Sequence, residues 1–201
     1  MRRFAFVVAF LAVLGLTAVA QAQAPTALKI GDPCPVFQGL ETTGGKKVSL
    51  DDFKQDVLVV CITCNHCPVA IAYEDRLINF CKKHCGDGSK IGFIAVNVNN
   101  IPADKLDKMV ERAKEKGFNF TYAYDPSQQI AKKLGARVTP EFFVFNKDRK
   151  LAYHGAMDDN MEAGKASKNY LEDACMSSVN GETPKVPTTR PQGCGIAYEK
   201  K

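Results

Sequence analysis

Hydrophobic and polar positions along the chain follow two periods, which predict strands and helices in succession. Residues 57–63 form an almost continuous apolar and β-branched run, as expected of a central strand buried on both faces. After this run, apolar side chains recur at three- and four-residue steps while charged side chains fall on the opposite face. This second pattern predicts a helix that ends near Gly86.

The later elements are bounded by familiar signals: a proline or capping residue at a helix start, a glycine at a helix end, and polar turns between strands. Their order predicts an α/β fold with a central mixed sheet, antiparallel at one edge, and with helices on both faces. The predicted elements are a strand at 91–98, a helix from Pro102 to Gly117, a strand at 120–124, a helix capped by Asp125 and ending at Gly135, a hairpin of 141–145 and 151–154, and a helix at about 167–179.

The first residues of the chain have the pattern of a secretory signal peptide. Two arginines precede an apolar run from Phe4 to Ala20, and alanines follow at alternating positions. The run is shorter than the roughly 20 apolar residues that a membrane-spanning helix needs. We therefore expect a signal peptide over residues 1–22, cleavage near Gln23 or directly after Ala20, and an exported protein that is periplasmic or secreted.

The charge and length of the chain after the predicted signal peptide are those of one ordinary globular domain. Removal of the two signal arginines lowers the net charge from +5 to +3, and charges of both signs are interspersed in the predicted helices. This distribution is typical of a solvated surface and does not indicate nucleic-acid binding. We expect one domain over residues 23–180, an extended proline-containing tail over 181–201, and no stable membrane insertion after cleavage.

The sequence with the clearest chemistry follows the central strand directly: Cys64-Asn65-His66-Cys67-Pro68. Two cysteines separated by two residues at the start of a helix have sulfurs close enough to join, and the helix N-terminus favours a thiolate. We expect Cys64 to be the exposed nucleophile and Cys67 to be the shielded thiol that resolves a mixed disulfide. His66 is expected to lower the pKa of Cys64 by a hydrogen bond or by its charge, unless it is an exposed loop residue without a role.

Two cofactor interpretations of these cysteines fail on spacing. Covalent haem attachment needs a histidine directly after the second cysteine, where this chain has Pro68. A zinc site would combine the pair with Cys81 and Cys85. On one continuous helix, however, the 14 steps from Cys67 to Cys81 separate the two pairs by about 21 Å. We therefore predict neither a cofactor nor metal ligands.

Further short motifs extend over the chain from about Leu28 to Ile196. They are Gly31-Asp32-Pro33, Cys64-Asn65-His66-Cys67-Pro68, Tyr73-Glu74-Asp75-Arg76-Leu77, Thr139-Pro140-Glu141-Phe142-Phe143 and Pro191-Gln192-Gly193-Cys194. Together they resemble the redoxin branch of the thioredoxin superfamily, related to the alkyl hydroperoxide reductase and thiol-specific antioxidant group. The resemblance implies a thioredoxin-like fold, a cis proline at Pro140 beside the redox turn, and a substrate strand that pairs with the backbone at Thr139.

The sequence departs from the thioredoxin pattern in two places. Thr63 replaces the usual tryptophan before the first cysteine, and residues 57–62 contain no acid, which leaves Asp56 and Glu74 as weak candidates for a base. The Pro-x-x-x-Thr-x-x-Cys pattern of peroxiredoxins is absent around both cysteines. The first hypothesis is therefore a thiol-disulfide oxidoreductase, the second a thiol peroxidase, and the third a redoxin domain that binds a partner or a metal without turnover.

The remaining cysteines have different expected roles. About 15 residues separate the last predicted helix from Cys194, and on the order of 50 Å of extended chain would let it reach any point of the domain. Cys194 is therefore a candidate third redox thiol, with a structural disulfide or an idle thiol as alternatives. Cys61 and Cys175 are expected to be small buried residues, and Cys34 is a candidate partner for either. The expected partners are protein or small-molecule thiols and disulfides, with an external electron donor.

Overall fold

The computed structural model describes residues 27–199, so the predicted signal peptide over 1–22 lies outside the described residues. The helices are α1 (Pro68–His84), α2 (Leu106–Lys116), α3 (Gln129–Leu134) and α4 (Tyr170–Val179). The strands are β1 (Leu40–Thr42), β2 (Lys47–Val48), β3 (Val57–Thr63), β4 (Ile91–Asn97), β5 (Thr121–Tyr124), β6 (Val138–Thr139), β7 (Glu141–Phe145), β8 (Leu151–Gly155) and β9 (Cys194–Gly195). None of the helices within residues 27–199 has the length and apolar character needed to cross a membrane.

Seven strands form one mixed sheet in the order β2-β1-β5-β4-β3-β7-β8. The strands β3, β4 and β5 run parallel, whereas β7 pairs antiparallel with β3 and β8 pairs antiparallel with β7. Every residue of β3 is buried, as its continuous apolar run predicted. The predicted α/β architecture with a mixed central sheet is therefore confirmed, and the short β1-β2 hairpin at the far edge was not predicted.

Each face of the sheet packs against its own apolar cluster. The clusters differ in their cysteines: Cys61 and Cys175 lie on the face covered by α1 and α4, and Cys34 lies on the face covered by α3. Both Cys61 and Cys175 are fully buried, as predicted. Because the sheet separates Cys34 from the other two, the disulfide considered for Cys34 is excluded.

The predicted helix from Pro102 divides into two parts. Residues Pro102–Asp104 form a single 3₁₀ turn, and α2 begins only at Leu106 because Lys105 is extended, with φ −69° and ψ 157°. The end of the helix is as predicted, since Gly117 adopts the left-handed conformation that stops it, with φ 66°. The interruption matters because it directs Asp104 inward, where it is fully buried.

The start of α3 also differs from its prediction. Asp125 does not occupy the position before the helix; Gln128 does, in the left-handed conformation with φ 60°. The carboxylate of Asp125 still accepts a hydrogen bond from the backbone N–H of Ile130 at 2.9 Å. The capping interaction predicted for Asp125 is therefore made from a more distant position. The last helix, α4, begins at Tyr170 and not at 167.

The chain beyond α4, which the sequence predicted as an extended tail, packs against the domain. The backbone N–H of His154 donates to the carbonyl of Pro187, and the N–H of Thr189 donates back to the carbonyl of His154, each at 3.1 Å. Further along, β9 pairs antiparallel with β6, with Cys194 opposite Thr139. The tail is held because its backbone groups find partners on the edge strands that the domain leaves unpaired.

Candidate active site

Three thiols meet at the start of α1. Cys64 follows β3, Cys67 is the last residue before α1, and Cys194 is delivered by β9. Their apolar neighbours are Val69 and Ala70 in the first turn of the helix. Cys64 is 3% exposed, Cys67 is fully buried, and Cys194 is half-buried. The fold thus brings together all three cysteines that were singled out from the sequence.

Thr139 lies against two of these thiols. The peptide bond between Thr139 and Pro140 is cis, as the family resemblance implied. The hydroxyl of Thr139 lies 3.1 Å from Sγ of Cys64, and its carbonyl oxygen accepts a hydrogen bond from the thiol of Cys67, also at 3.1 Å. The backbone of Thr139 is occupied by the tail strand β9. A contact between Thr139 and a substrate stays a prediction.

Cys64 is not the exposed, acidic thiol that the sequence predicted. Its burial raises the pKa to about 12, although the hydroxyl of Thr139 opposes this by a hydrogen bond. The negative charge of Asp104 adds to the increase. Cys64 lies three residues before the helix N-cap, too far for the first-turn N–H groups to stabilise its thiolate.

Cys67 has the favoured thiolate, because α1 begins at Pro68 and Cys67 is therefore the N-cap. Burial alone would raise the pKa of Cys67. Hydrogen bonds from the thiol of Cys194 and from the backbone N–H groups of Ala70 and Cys194 outweigh burial and lower the pKa. The order of ionisation expected from the sequence is thus reversed: Cys67 ionises more readily and Cys64 less readily than an ordinary cysteine.

His66 interacts with a buried acid and not with Cys64. Its Nδ1 lies 2.5 Å from Oδ2 of Asp104, and the other oxygen of Asp104 accepts a hydrogen bond from the backbone N–H of Asn65 at 2.7 Å. No hydrogen bond joins His66 to Cys64 among residues 27–199, so the hydrogen bond considered from the sequence is not made, and an effect of the His66 charge on Cys64 stays a prediction. A ring nitrogen of His66, Sγ of Cys64 and a carboxylate oxygen of Asp104 nevertheless lie within 4.8 Å of one another.

Asp104 was missed from the sequence because it was assigned to the first turn of a surface helix. The signal that could have revealed it is topological. The strands β3 and β4 are parallel neighbours, so the residues that follow them meet at one edge of the sheet. The redox motif follows β3, and the turn containing Asp104 follows β4. An acid beyond the second strand is therefore a natural neighbour of the motif.

Glu74, the acid considered from the sequence, has a structural partner. It is buried, and its two carboxylate oxygens accept hydrogen bonds from the guanidinium of Arg112 at 2.8 and 2.7 Å. This pair joins α1 to α2. The carboxylate of Glu74 therefore stabilises the packing of α1 against α2. Asp104 is the acid that lies beside the cysteines.

Comparison with known proteins assigns the chain to a family. The Redoxin family model matches residues 29–172. No curated protein matches this sequence. The crystal structure of an uncharacterized conserved protein from Geobacillus kaustophilus has a TM-score of 0.79 and 28% identity, and covers 86% of this chain and 94% of that chain. A hypothetical protein from Sinorhizobium meliloti 1021 has a TM-score of 0.79 and 27% identity, and covers 88% and 98%.

A more distant structural neighbour shares the fold only. Peroxidoxin BcpB from Mycobacterium tuberculosis has a TM-score of 0.59 and 16% identity, and covers 76% of this chain and 97% of that chain. The thioredoxin-like architecture is thus common to all three structures. In the two neighbours with higher identity, the match covers nearly the whole of their own chains, 94% and 98%.

Proposed function

The chain belongs to the Redoxin family, and from this premise we propose that it is an exported thiol-disulfide oxidoreductase that uses Cys64 and Cys67 as its redox couple. An oxidoreductase function in general agrees with the family. The observation that carries the finer proposal is Cys67, a thiol with a lowered pKa at a helix N-terminus with two further thiols beside it. Export rests on the sequence pattern of residues 1–22 alone.

The first step is attack by the thiolate of Cys67 on a substrate disulfide. The S–S bond of the substrate breaks, one substrate sulfur joins Cys67 in a mixed disulfide, and the other leaves as a thiolate that takes up a proton. The hydrogen bonds from Ala70 and Cys194 lower the pKa of Cys67 and so favour the thiolate, the form that attacks. Thiolate character is what makes a cysteine nucleophilic.

The second step resolves the mixed disulfide by Cys64. Its thiol must lose a proton first, because burial keeps its pKa near 12. The pair of His66 and Asp104 is the proton acceptor at this position, with a ring nitrogen within 4.8 Å of the sulfur. Cys64 then bonds to Cys67, and the remaining substrate sulfur leaves as a thiol. Two electrons have passed from the dithiol to the substrate.

Cys194 is proposed as the third redox thiol. By attacking the sulfur of Cys67 in the Cys64-Cys67 disulfide, it moves the disulfide to Cys67-Cys194 and releases Cys64 as a thiol, with no net change in electrons. This exchange brings the disulfide to a half-buried sulfur, whereas Cys64 and Cys67 are buried. An external dithiol donor could then reduce the protein at Cys194, with protein or small-molecule disulfides as the substrates.

The test is turnover of a disulfide substrate by the reduced protein, followed as insulin reduction with dithiothreitol as the donor. We expect Cys67→Ser to lower the rate to that of dithiothreitol alone, because the attacking nucleophile is removed. Cys64→Ser combined with Cys194→Ser removes both thiols that could resolve a mixed disulfide on Cys67, which should then accumulate and be detected by mass spectrometry. Cys85→Ser, at the C-cap of α1, is the matched control and should keep the wild-type rate. Equal rates for Cys67→Ser and wild type would overturn the proposal.

Reduction of hydroperoxides is the second candidate, favoured by the full burial of Cys67. A small peroxide needs less opening of the site than a protein disulfide does. Cys67 would cleave the O–O bond, become a sulfenic acid and release an alcohol. Cys194 would then form a disulfide with Cys67 and release water. Peroxide consumption without insulin reduction, on the same preparation, would replace the first candidate by the second.

A further inference from the structure

The last residues of the tail lie on the domain as an extended strand with one face turned inward. Half-buried and exposed positions alternate from Cys194 to Glu199, a period of two that is typical of a half-buried strand. The three inward residues are Cys194, Ile196 and Tyr198. We call the surface beneath residues 194–199 the tail groove.

The tail groove binds the backbone of the tail first through β6. Cys194 lies opposite Thr139 in antiparallel register, and the backbone N–H of Ile196 donates to the carbonyl of Arg137 at 3.0 Å. Because every residue except proline offers the same backbone N–H and C=O groups, such pairing accepts extended peptides of many sequences.

Two buried side-chain amides continue this backbone recognition beyond β6. Gln128 donates from Nε2 to the carbonyl of Ala197 at 3.0 Å, and its Oε1 accepts from the N–H of Glu199 at 2.8 Å. Oδ1 of Asn99 accepts from the N–H of Ala197 at 3.3 Å. Nδ2 of Asn99 has no partner within residues 27–199, so the tail leaves one buried donor of the groove unused.

The inward side chains of the tail give the groove its selectivity. Ile196 and Tyr198 pack against the apolar cluster on the α3 face of the sheet. The hydroxyl of Tyr198 donates to the carbonyl of Ala136 at 2.6 Å, and the ammonium of Lys132 lies 5.6 Å from the centre of its ring. The groove therefore suits an apolar residue and then an aromatic residue at alternate positions after the cysteine.

We propose that residues 194–199 occupy the tail groove as a displaceable, substrate-like strand, and that a substrate displaces them to bind. The substrate class is an extended polypeptide segment with a cysteine, an apolar residue two positions later and an aromatic residue four positions later. This inference rests on the proposed oxidoreductase function. The cysteine of the substrate would take the place of Cys194, which packs beside the attacking Cys67.

The tail can leave the groove without leaving the domain. Residues 187–189 pair separately with His154, so the chain stays anchored when residues 194–199 move away. A tethered strand competes at an effective concentration on the order of millimolar. Segments without the alternating pattern should therefore fail to displace the tail.

The experiment measures the binding of a fluorescent peptide to the reduced full chain by anisotropy. The probe has the sequence of residues 190–199 with serine in place of the cysteine, so no disulfide can form. In the control peptide, the isoleucine and the tyrosine each move one position toward the N-terminus, which turns them to the solvent side. We expect wild type to bind the probe weakly and to bind the control peptide more weakly still.

Variants of the tail and of the groove should change the affinity for the probe in opposite directions. The double variant Ile196→Ala/Tyr198→Ala should bind it about tenfold or more tightly than wild type, because its own tail competes less. Val186→Ala, an exposed position of the tail outside the groove, should bind as wild type does. In the double variant, Gln128→Ala should weaken binding by about tenfold or more, whereas Gln129→Ala, at the exposed neighbouring glutamine, should not.

A measurement on the wild-type chain keeps the test valid if a variant misfolds. Saturating probe should displace the tail and speed the alkylation of Cys194, read by mass spectrometry, whereas the control peptide should not. Equal affinities for the two peptides, or unchanged alkylation of Cys194, would overturn the inference. Insulin reduction is measured on the same sample. A chain that reduces insulin but fails these tests refutes this inference alone, whereas probe binding without insulin reduction counts against the oxidoreductase function.

Discussion

Cys194 lies opposite Thr139 in the register of β9 and β6, and this pairing places the thiol of the tail beside Cys67. The approach is close. A Cβ atom on Gly193, the residue before Cys194, would lie 2.1 Å from the carbonyl oxygen of Thr139. The thiol of Cys67 donates its hydrogen bond to the same carbonyl oxygen. The carbonyl of Thr139 is therefore in close contact with both the tail and Cys67.

The first prediction follows from that approach. Gly193→Ala should push β9 away from β6 and lower the free energy of unfolding by about 1–3 kcal/mol, the usual cost of inserting a methyl group where no space exists. Cys67 should become more accessible, and the Cys67-Cys194 disulfide should form more slowly. Chemical denaturation measures the change in stability. Alkylation of Cys67, followed by mass spectrometry, measures its accessibility and the rate of disulfide formation.

Gly195 on the same strand provides the control, because a Cβ atom there meets nothing within 4 Å. Gly195→Ala should leave both the stability and the alkylation rate close to wild type. If the two alanine variants expose Cys67 equally, close contact at Gly193 is not what positions the tail.

The second prediction concerns the ionisation of Cys67. Its folded pKa is lowered below that of an ordinary cysteine, so ultraviolet absorbance of the reduced protein should show a thiolate step at lower pH than an ordinary cysteine gives. The step should be absent in Cys67→Ser and present in Cys85→Ser. A lowered folded pKa favours the thiolate in the folded state. Cys67 therefore stabilises the reduced protein above the unfolded pKa of about 8.5, and this contribution is lost as the pH falls through the folded pKa.

A titration in which Cys67→Ser keeps the step would assign it to another cysteine. Cys64 is the informative comparison, because its burial raises its pKa to about 12 and its thiolate should appear only in strongly alkaline solution.

The sequence predicted what depends on local signals. The buried run of β3, the amphipathic pattern of α1 and the stop at Gly117 are each encoded within a few residues, and each is present. The order of ionisation of the two cysteines was predicted wrongly, although a local signal existed. Proline is favoured at the first position of a helix, so Pro68 indicates that α1 begins there and that Cys67 is its N-cap.

The rest of the site depends on contacts between distant parts of the chain. Asp104 reaches His66 because β3 and β4 are adjacent and the extended Lys105 interrupts the following helix. Cys194 reaches Cys67 because the tail finds an unpaired strand edge at Thr139. Neither contact leaves a periodic pattern in the sequence, which is why the docking of the tail was not predicted and why Asp104 was not among the candidate bases.

The third prediction tests the structural assignment of Glu74. Arg112→Ala leaves a buried carboxylate without its guanidinium partner. We expect the free energy of unfolding to fall by roughly 2–3 kcal/mol, less than for a fully buried pair because Arg112 keeps some exposure. Lys108→Ala, on the same helix but in an exposed pair with Glu111, should have no measurable effect. Chemical denaturation of the reduced proteins measures both. At denaturant concentrations well below the unfolding midpoint, Arg112→Ala should not change the rate of disulfide turnover. A loss of turnover without unfolding would instead indicate that Glu74 takes part in the reaction.

The fourth prediction separates a proton-accepting role of Asp104 from a merely structural one. Asp104 is fully buried, and its negative charge raises the pKa of Cys64. Asp104→Asn removes the charge, so the pKa of Cys64 should fall, as read from the pH dependence of alkylation at that residue.

If the carboxylate only fills space, a more acidic Cys64 should resolve the mixed disulfide as fast as wild type or faster. If Asp104 holds His66 ready to take the proton of Cys64, resolution should instead slow by about tenfold or more, since positioned acid-base catalysis is worth at least that much. Single-turnover decay of the mixed disulfide measures the rate, and Asp107→Asn, an exposed acid in the first turn of α2, is the control. A lower pKa of Cys64 together with slower resolution is the combination that only the proton-accepting role produces.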